Sequence, residues 1–277
     1  MNLQRVSKKD PCPSCGKDTW CLIGEESCLC MRVPSDRQLV MRDGSIGYWH
    51  HTGLPKPSVD WLKAKKEETP HIDAIGIMSK WQHETRPDWI ENMAAEIGVD
   101  TASVRNLGAA WSSQHQAWAW PMSDSNGKYC GIRLRSETGR KWAVTGSRQG
   151  VFLPHVPCAN RVYLPEGPTD CAALLSIGVF AIGRPSCTGG MVELKNNILR
   201  LHVKEAVIIA DNDEDKVSPA GIKFNPGYDG AKQLQNFLPI PSCIIALPTK
   251  DSRAFLKEGG DRLMLDSIAS SAVWGAV

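Results

Sequence analysis

Three apolar runs in the second half of the chain each end in acid, and no other feature narrows the fold as far. Residues 161–167 read "RVYLPEG" and close on Glu166; residues 205–213 read "EAVIIADND" and close on Asp211 and Asp213; residues 242–251 read "SCIIALPTKD" and close on Asp251. Runs this apolar suit strands buried on both faces. Helical patterns around "PTDCAALLSIG", "MVELKNNILRL" and "DGAKQLQNFL" separate them, and "VFAIGR" reads as a further strand. Strand and helix in alternation predict a mostly parallel α/β sheet, in which functional groups collect beyond the carboxyl ends of the strands. The acids fall there.

A single acidic strand end is ordinarily a helix cap or a solvated turn, and Asp170 in "EGPTD" suits a helix dipole on its own. Acid on three strand ends points instead to a shared cation. Asp211 and Asp213 are two apart, so in extended chain they face the same side. Clustered carboxylates repel one another unless positive charge is supplied. A hard ion such as Mg²⁺, bound by a few carboxylates and by substrate phosphates, supplies it.

The N-terminal end carries a different device. Five of the ten cysteines lie between residues 12 and 30, in "PCPSCGKDTWCLIGEESCLC". In a reducing compartment such clustering reads as metal rather than disulfide. The Cys-Pro-Ser-Cys-Gly turn is a zinc knuckle, and if "TWCLI" and "SCLCM" pair as a hairpin around "GEES", Cys21 lies opposite Cys30 while Cys28 faces Ile23. The expected ligands are Cys12, Cys15, Cys21 and Cys30, with Cys28 as the substitute. Four thiolates leave no open position, so this zinc is structural. Nearby Lys8, Lys9, Arg32, Arg37 and Trp20 suit phosphates and stacking, or simply a solvated surface.

Between these ends, "RPDWIENMAAEIGV" predicts a helix with Trp89, Ile90, Met93, Ala94 and Ile97 on one face, stopped near Gly98. "AWAWPM", "YCGIRLRS" and "KWAVTG" alternate apolar and polar residues between turns, which predicts an antiparallel sheet. Its polar positions carry Arg133, Arg135, Arg140, Lys141 and Arg148. The ten tryptophans stand mostly at core-like positions, and the seven histidines show no metal-binding spacing. The expected division is a zinc-binding module over 1–45, a linker over 46–75, a basic mixed α+β subdomain over 76–153, and the α/β domain with a C-terminal tail over 154–277. A net charge of +2 requires any nucleic-acid surface to be local. No apolar run approaches the ~18 residues of a membrane span, and the N-terminus lacks a signal-peptide core, so a soluble cytoplasmic protein is expected.

"VYLPEGPTDCAALLSIG", then "AVIIADND", then "LPTKDSRAFLKEGGD" together resemble the Toprim domain shared by DnaG-type primases, type IA and type II topoisomerases and some nucleases. Upstream, "GKYCGIRLRSETGRKWAVTGSRQGVF" resembles the segment before Toprim in bacterial and phage primases. The order of zinc module, basic segment and Toprim is that of primases carried by phages and mobile elements, and the likeness spans about residues 10–265. It implies a DNA-dependent RNA polymerase that makes short primers on single-stranded DNA from nucleoside triphosphates with Mg²⁺ or Mn²⁺. Carried over residue by residue, Glu166 matches the Toprim glutamate, and Asp170 the acid that follows it in primases. Asp211 and Asp213 match the DxD metal motif, with Asp251 as the acid of the third motif and a further magnesium ligand. Lys141 sits where primases keep a basic residue near the initiating nucleotide, with Arg133, Arg135 and Arg148 as neighbours that bind nucleotide or template.

The sequence departs from that pattern in "EDKVSPAGIKFNPGY", which intervenes between the DxD and the following helix and leaves Asp215 and Asp229 without an assigned role. No Walker A motif occurs, so the expected helicase partner is a separate polypeptide. Two rivals stand beside the primase reading. One is a metal-dependent Toprim nuclease, because the same acids assist attack by water. The other is a non-catalytic single-strand-binding or helicase-loading module.

Overall fold

The computed structural model describes residues 3–24, 26–41, 45–52, 71–212, 215–217, 221 and 223–275. The N-terminal module is an antiparallel sheet of β1 (Gln4–Arg5), β2 (Leu22–Ile23), β3 (Ser27–Cys30), β4 (Gln38–Val40) and β5 (Ile46–His51), in the order β1-β2-β3-β5-β4. Its register puts Leu22 opposite Leu29 and Ile23 opposite Cys28, the hairpin expected from the sequence. One boundary needs correction. Residues 46–51, expected at the start of a linker, form the strand between β3 and β4. Tyr48 is buried there, and a six-residue aromatic strand beside a charged stretch has too few alternations to announce itself. Residues 53–70 of the expected linker lie outside the described residues, and its last two, 74 and 75, already belong to the first helix.

The middle module packs α1 (Ala74–Glu84), α2 (Pro87–Ile97) and α3 (Thr101–Asn106) against an antiparallel sheet of β6 (Ala110–Ser112), β7 (Ala117–Ser123), β8 (Tyr129–Arg135) and β9 (Lys141–Ala143). Asp73 caps α1 by accepting from the Gly76 amide, and its Ala74, Met78 and Trp81 pack with Ala117, Ala119, Ile132 and Leu134 of the sheet. Helix α2 keeps the expected bounds and ends at left-handed Gly98. Arg133 and Arg135 sit two apart on β8, so both stand on one face of the sheet.

The last module is α/β. β10 (Arg161–Leu164) is followed by α4 (Gly167–Ser176) and α5 (Met191–Arg200), and β11 (Glu205–Ala210) by a small hairpin of β12 (Lys216–Val217) and β13 (Lys223–Phe224). Then come α6 (Pro226–Phe237), β14 (Ser242–Ala246), α7 (Ser252–Lys257), α8 (Arg262–Ser270) and β15 (Trp274–Gly275). β10, β11 and β14 are parallel, and β15 closes the edge antiparallel. Alternate residues of β11 feed two cores: Val207 and Ile209 join Trp120, Phe152 and Cys171, while Ala206, Ile208 and Ala210 join Leu194, Ile198 and Leu234. A strand buried on both faces must be apolar throughout, as "AVIIA" is.

"VFAIGR", expected as a strand, lies parallel to β10 through isolated bridges only, Tyr163 to Ala181 and Glu166 to Arg184. Its ladder is interrupted because Gly183 also pairs with Phe152, whose neighbour Val151 bridges to Ser123 of β7. Residues 151–152 thus stitch the two sheets into one body. Among the described residues after β11, Phe224 of β13 packs into the cysteine module, and Gln233 Nε2 of α6 donates to the Tyr48 hydroxyl at 2.7 Å.

β8 carries two of the candidate cations and lies hard against the following chain, because a Cβ at Gly131 would collide with the Arg148 carbonyl oxygen. Gly131→Ala is therefore expected to cost about 1–3 kcal/mol of stability. Urea denaturation monitored by tryptophan fluorescence measures it, and an unchanged midpoint would contradict the close approach.

Candidate functional site

Two sites emerge from this frame. In the first, the knuckle turn and the β2–β3 hairpin bring the Sγ atoms of Cys12, Cys15, Cys21 and Cys30 within 4.8 Å of one another. Cys15 to Cys21 is 3.7 Å and Cys21 to Cys30 is 3.9 Å. Ligands about 2.3 Å from a tetrahedral zinc stand about 3.8 Å apart, so the donor set fits Zn²⁺ without rearrangement. Backbone amides of Met31 and Val33 point at Cys21 and Cys30 sulfur, at 3.4 and 3.2 Å, and stabilise thiolate charge. Cys28 is buried beside the cluster but outside the group of four, and its thiol meets the Ser14 hydroxyl at 3.0 Å.

The second site is a cavity of about 270 Å³ at the carboxyl ends of the parallel strands. It gathers Glu166, Asp170, Asp211 and Asp251 on one side and Arg133, Arg135 and Lys141 on the other. Glu166 lies just beyond β10 as the residue before α4, and Gly167, with a left-handed φ of 77°, lets the chain turn directly into that helix. Asp170 follows in the first turn of α4, buried. Asp211 ends β11, and the next amide, Asn212, donates to the Lys250 carbonyl at 3.2 Å, which ties the second acidic loop to the third. Asp251 caps α7 by accepting from the Ala254 amide at 2.8 Å, so it serves the helix whatever else it does. Asp213 lies outside the described residues. Arg148 does not reach the cavity: it is half-exposed and stands 3.9 Å from Asp124. Asp215 and Asp229 serve the insertion, each accepting a hydrogen bond from Asn225.

Among the described residues, the four cysteines alone bring three or more donor atoms within 4.8 Å of one another. The described acids share a cavity without converging that tightly.

Three cations shape the site and were not singled out in the sequence. Arg184 is 1% exposed. Its Nε donates to Leu164 O at 3.2 Å, Nη1 to Cys187 O at 3.0 Å and Nη2 to Ile209 O at 2.9 Å, and Nη2 stands 3.7 Å from Glu166 Oε1. Arg253 lies 3.5 Å from Asp251 and 3.9 Å from Asp170, while Lys250 lines the same cavity. Their signal was faint: "LPTKDSR" places both basic residues beside Asp251, but Arg184 sits in an apolar run with no partner nearby in sequence. Burial, then the neighbouring Asp251 carboxylate, pushes Asp170 up to about 6 against the opposing pull of Arg253 and Lys141. Burial alone lowers Arg133, and burial and then Arg253 lower Arg135. Burial makes the charged forms of all three costly here.

The fold as a whole is that of DNA primase catalytic cores. The Aquifex aeolicus primase, in its zinc-binding and RNA polymerase domains, is similar at 16% identity over 79% of this chain and 64% of that one, with a TM-score of 0.56. A DnaG primase catalytic domain bound to single-stranded DNA matches 73% of this chain and 78% of its own at 12% identity and a TM-score of 0.54. The primase fragment of the bacteriophage T7 primase-helicase matches 96% of this chain and 100% of its own at 15% identity and a TM-score of 0.50. No protein-family model and no curated protein sequence matches the chain.

Two outcomes test the geometry. Purified protein is expected to carry one equivalent of zinc by elemental analysis; Cys30→Ala loses it and Cys28→Ala keeps it, and the reverse pattern would reassign the ligands. Asp170 binds its proton more tightly folded than unfolded, so its contribution to stability falls as pH rises from about 4 through 6. Asp170→Asn should therefore raise the Tm of the metal-free protein at pH 7 by several degrees and flatten the decline between pH 4 and 6. A lower Tm with an unchanged pH profile would refute the burial argument.

Proposed function

We propose that this protein is a DNA primase, a nucleotidyltransferase that synthesises short RNA primers on single-stranded DNA in the replication of a phage or mobile element. The observation that carries the reading is the single cavity in which strand-end acids face the cations of β8 and β9. Nucleases on related scaffolds need the acids, but a polymerase must also hold a triphosphate, and the second row of charge answers that need. In this reading residues 76–153 are the basic subdomain and 154–277 the Toprim domain with its tail. The zinc module, with Trp20, Lys8 and Lys9 exposed, engages the template.

Arg133, Arg135 and Lys141 bind the triphosphate or template phosphates by charge and geometry. Glu166, held by Arg184, and Asp211 would hold Mg²⁺ or Mn²⁺ together with Asp213 and Asp251. Such an ion neutralises the phosphates and stabilises the attacking and leaving oxygens when bound. Asp170 and Arg253 keep the acidic wall in register. Single-stranded DNA and nucleoside triphosphates are the partners, with a separate replicative helicase. Among the described residues no helix is long and apolar enough to cross a membrane.

Mixed single-stranded templates, labelled ribonucleotides and Mg²⁺ or Mn²⁺ test the proposal. Template-dependent oligonucleotides are expected, reduced roughly a hundredfold or more by Asp211→Asn and by Asp213→Asn. Template cleavage dependent on Asp211, without synthesis, would replace the reading by the nuclease. Strand binding with neither product, with a helicase present, would favour the accessory role.

A further inference from the structure

A groove of tryptophans leaves the acid cavity. A hollow of about 300 Å³ lies between Trp89 of α2, Trp111 of β6 and Trp118 of β7, with Glu96 and Glu137 at its rim. Trp111 and Trp118 are cross-strand partners whose rings meet edge to face, 5.5 Å apart at 69°. Sequence reading put the tryptophans at core-like positions, yet these three are half-buried and open to this hollow. A smaller space of about 130 Å³ joins it to the catalytic cavity: it shares Trp118 and Glu137 with the hollow, and Trp120, Arg135 and Arg253 with the acid site. At that junction the Trp120 indole Nε1 is buried and has no hydrogen-bond partner.

The charge along the track identifies the occupant. Arg135 and Arg253 stand at the junction, where phosphate is welcome. The tryptophan hollow is lined by the carboxylates of Glu96 and Glu137, and a neighbouring cation, Arg86, lies 5.6 Å over the Trp89 ring, so the hollow itself offers acceptors to N–H donors. Its volume is at the lower end of sites that hold small ligands. Aromatic faces flanked by acceptors suit a nucleobase whose exocyclic amino group donates to a carboxylate. We propose that this groove binds a base of the single-stranded template next to the catalytic cavity, stacked among Trp89, Trp111 and Trp118 and selected by Glu137 for an amino-bearing edge. The proposal rests on the primase reading and adds a base-recognition subsite to it.

Fluorescence anisotropy of the full chain with an end-labelled twelve-nucleotide single strand, against an abasic strand of the same length, tests it. Trp111→Leu is expected to weaken the base-bearing strand about tenfold or more and leave the abasic strand unchanged. Glu137 lies on an exposed turn, so Glu137→Gln is a variant free of folding risk. It should abolish a preference for adenine- or cytosine-bearing strands over thymine-bearing ones. Equal weakening of both strands by Trp111→Leu would overturn the proposal, as would no weakening of either, which would leave the groove to a peptide partner. Primer synthesis by the same preparations separates the failures. Wild-type protein that neither binds strands nor makes primers ends the primase reading and the subsite together; wild-type protein that makes primers, while both variants bind as it does, ends the subsite alone.

Discussion

The site depends on one buried guanidinium. Arg184 is enclosed among the ends of β10 and β11, and its three hydrogen bonds fall on carbonyls from three separate places, Leu164, Cys187 and Ile209. A planar fork that cannot lose its proton is suited to this task, because it fixes directions as well as distances. Taking such a charge out of water is expensive, and three carbonyl dipoles and the nearby Glu166 carboxylate offset the cost. The consequence is that two acidic strand ends share a rigid base. Carboxylates that repel each other can be kept in one cavity only if the chain beneath them cannot relax.

The same economy of contacts joins the halves of the molecule. Residues 151 and 152 pair with Ser123 on one side and Gly183 on the other, so the basic sheet and the parallel sheet are registered through two residues. Trp120 and Phe152 continue the apolar core across that seam and also line the cavity above it. Packing therefore sets the distance between the acidic wall and the cationic one. Side chains on β8 are positioned by a strand rather than a loop, and strands hold charged groups to better than the slack of a flexible turn.

Much of this was legible in the residues. Three apolar runs with acidic ends required a parallel sheet with a charged rim, and the hairpin register that pairs Ile23 with Cys28 was set by the spacing of "CLIGEESCLC". The zinc ligands followed from that register. What stayed hidden had physical causes. Arg184 binds carbonyls, which every residue owns, so no sequence partner marks it. Arg148 carries the right charge on the wrong part of its turn, pairing near Asp124 instead. "VFAIGR" has strand composition but must share its hydrogen bonds between β10 and Phe152, a competition visible only in three dimensions. The tryptophans of α2, β6 and β7 read as core because half-buried indoles and buried ones look alike in a sequence.

The hairpin that interrupts the expected pattern after β11 has a wider meaning. Its Phe224 is embedded among the zinc-site cysteines, while the same connection begins at Asp211 and leads into α6, whose Gln233 grips Tyr48 of the N-terminal sheet. The cysteine cluster and the acidic cavity, far apart in sequence, are thus tied to one stretch of chain. Coupling between two regions joined in this way is reciprocal, so a change imposed on one is returned in equal measure by the other. The four-cysteine cluster and the acid-lined cavity therefore share one framework of packed chain.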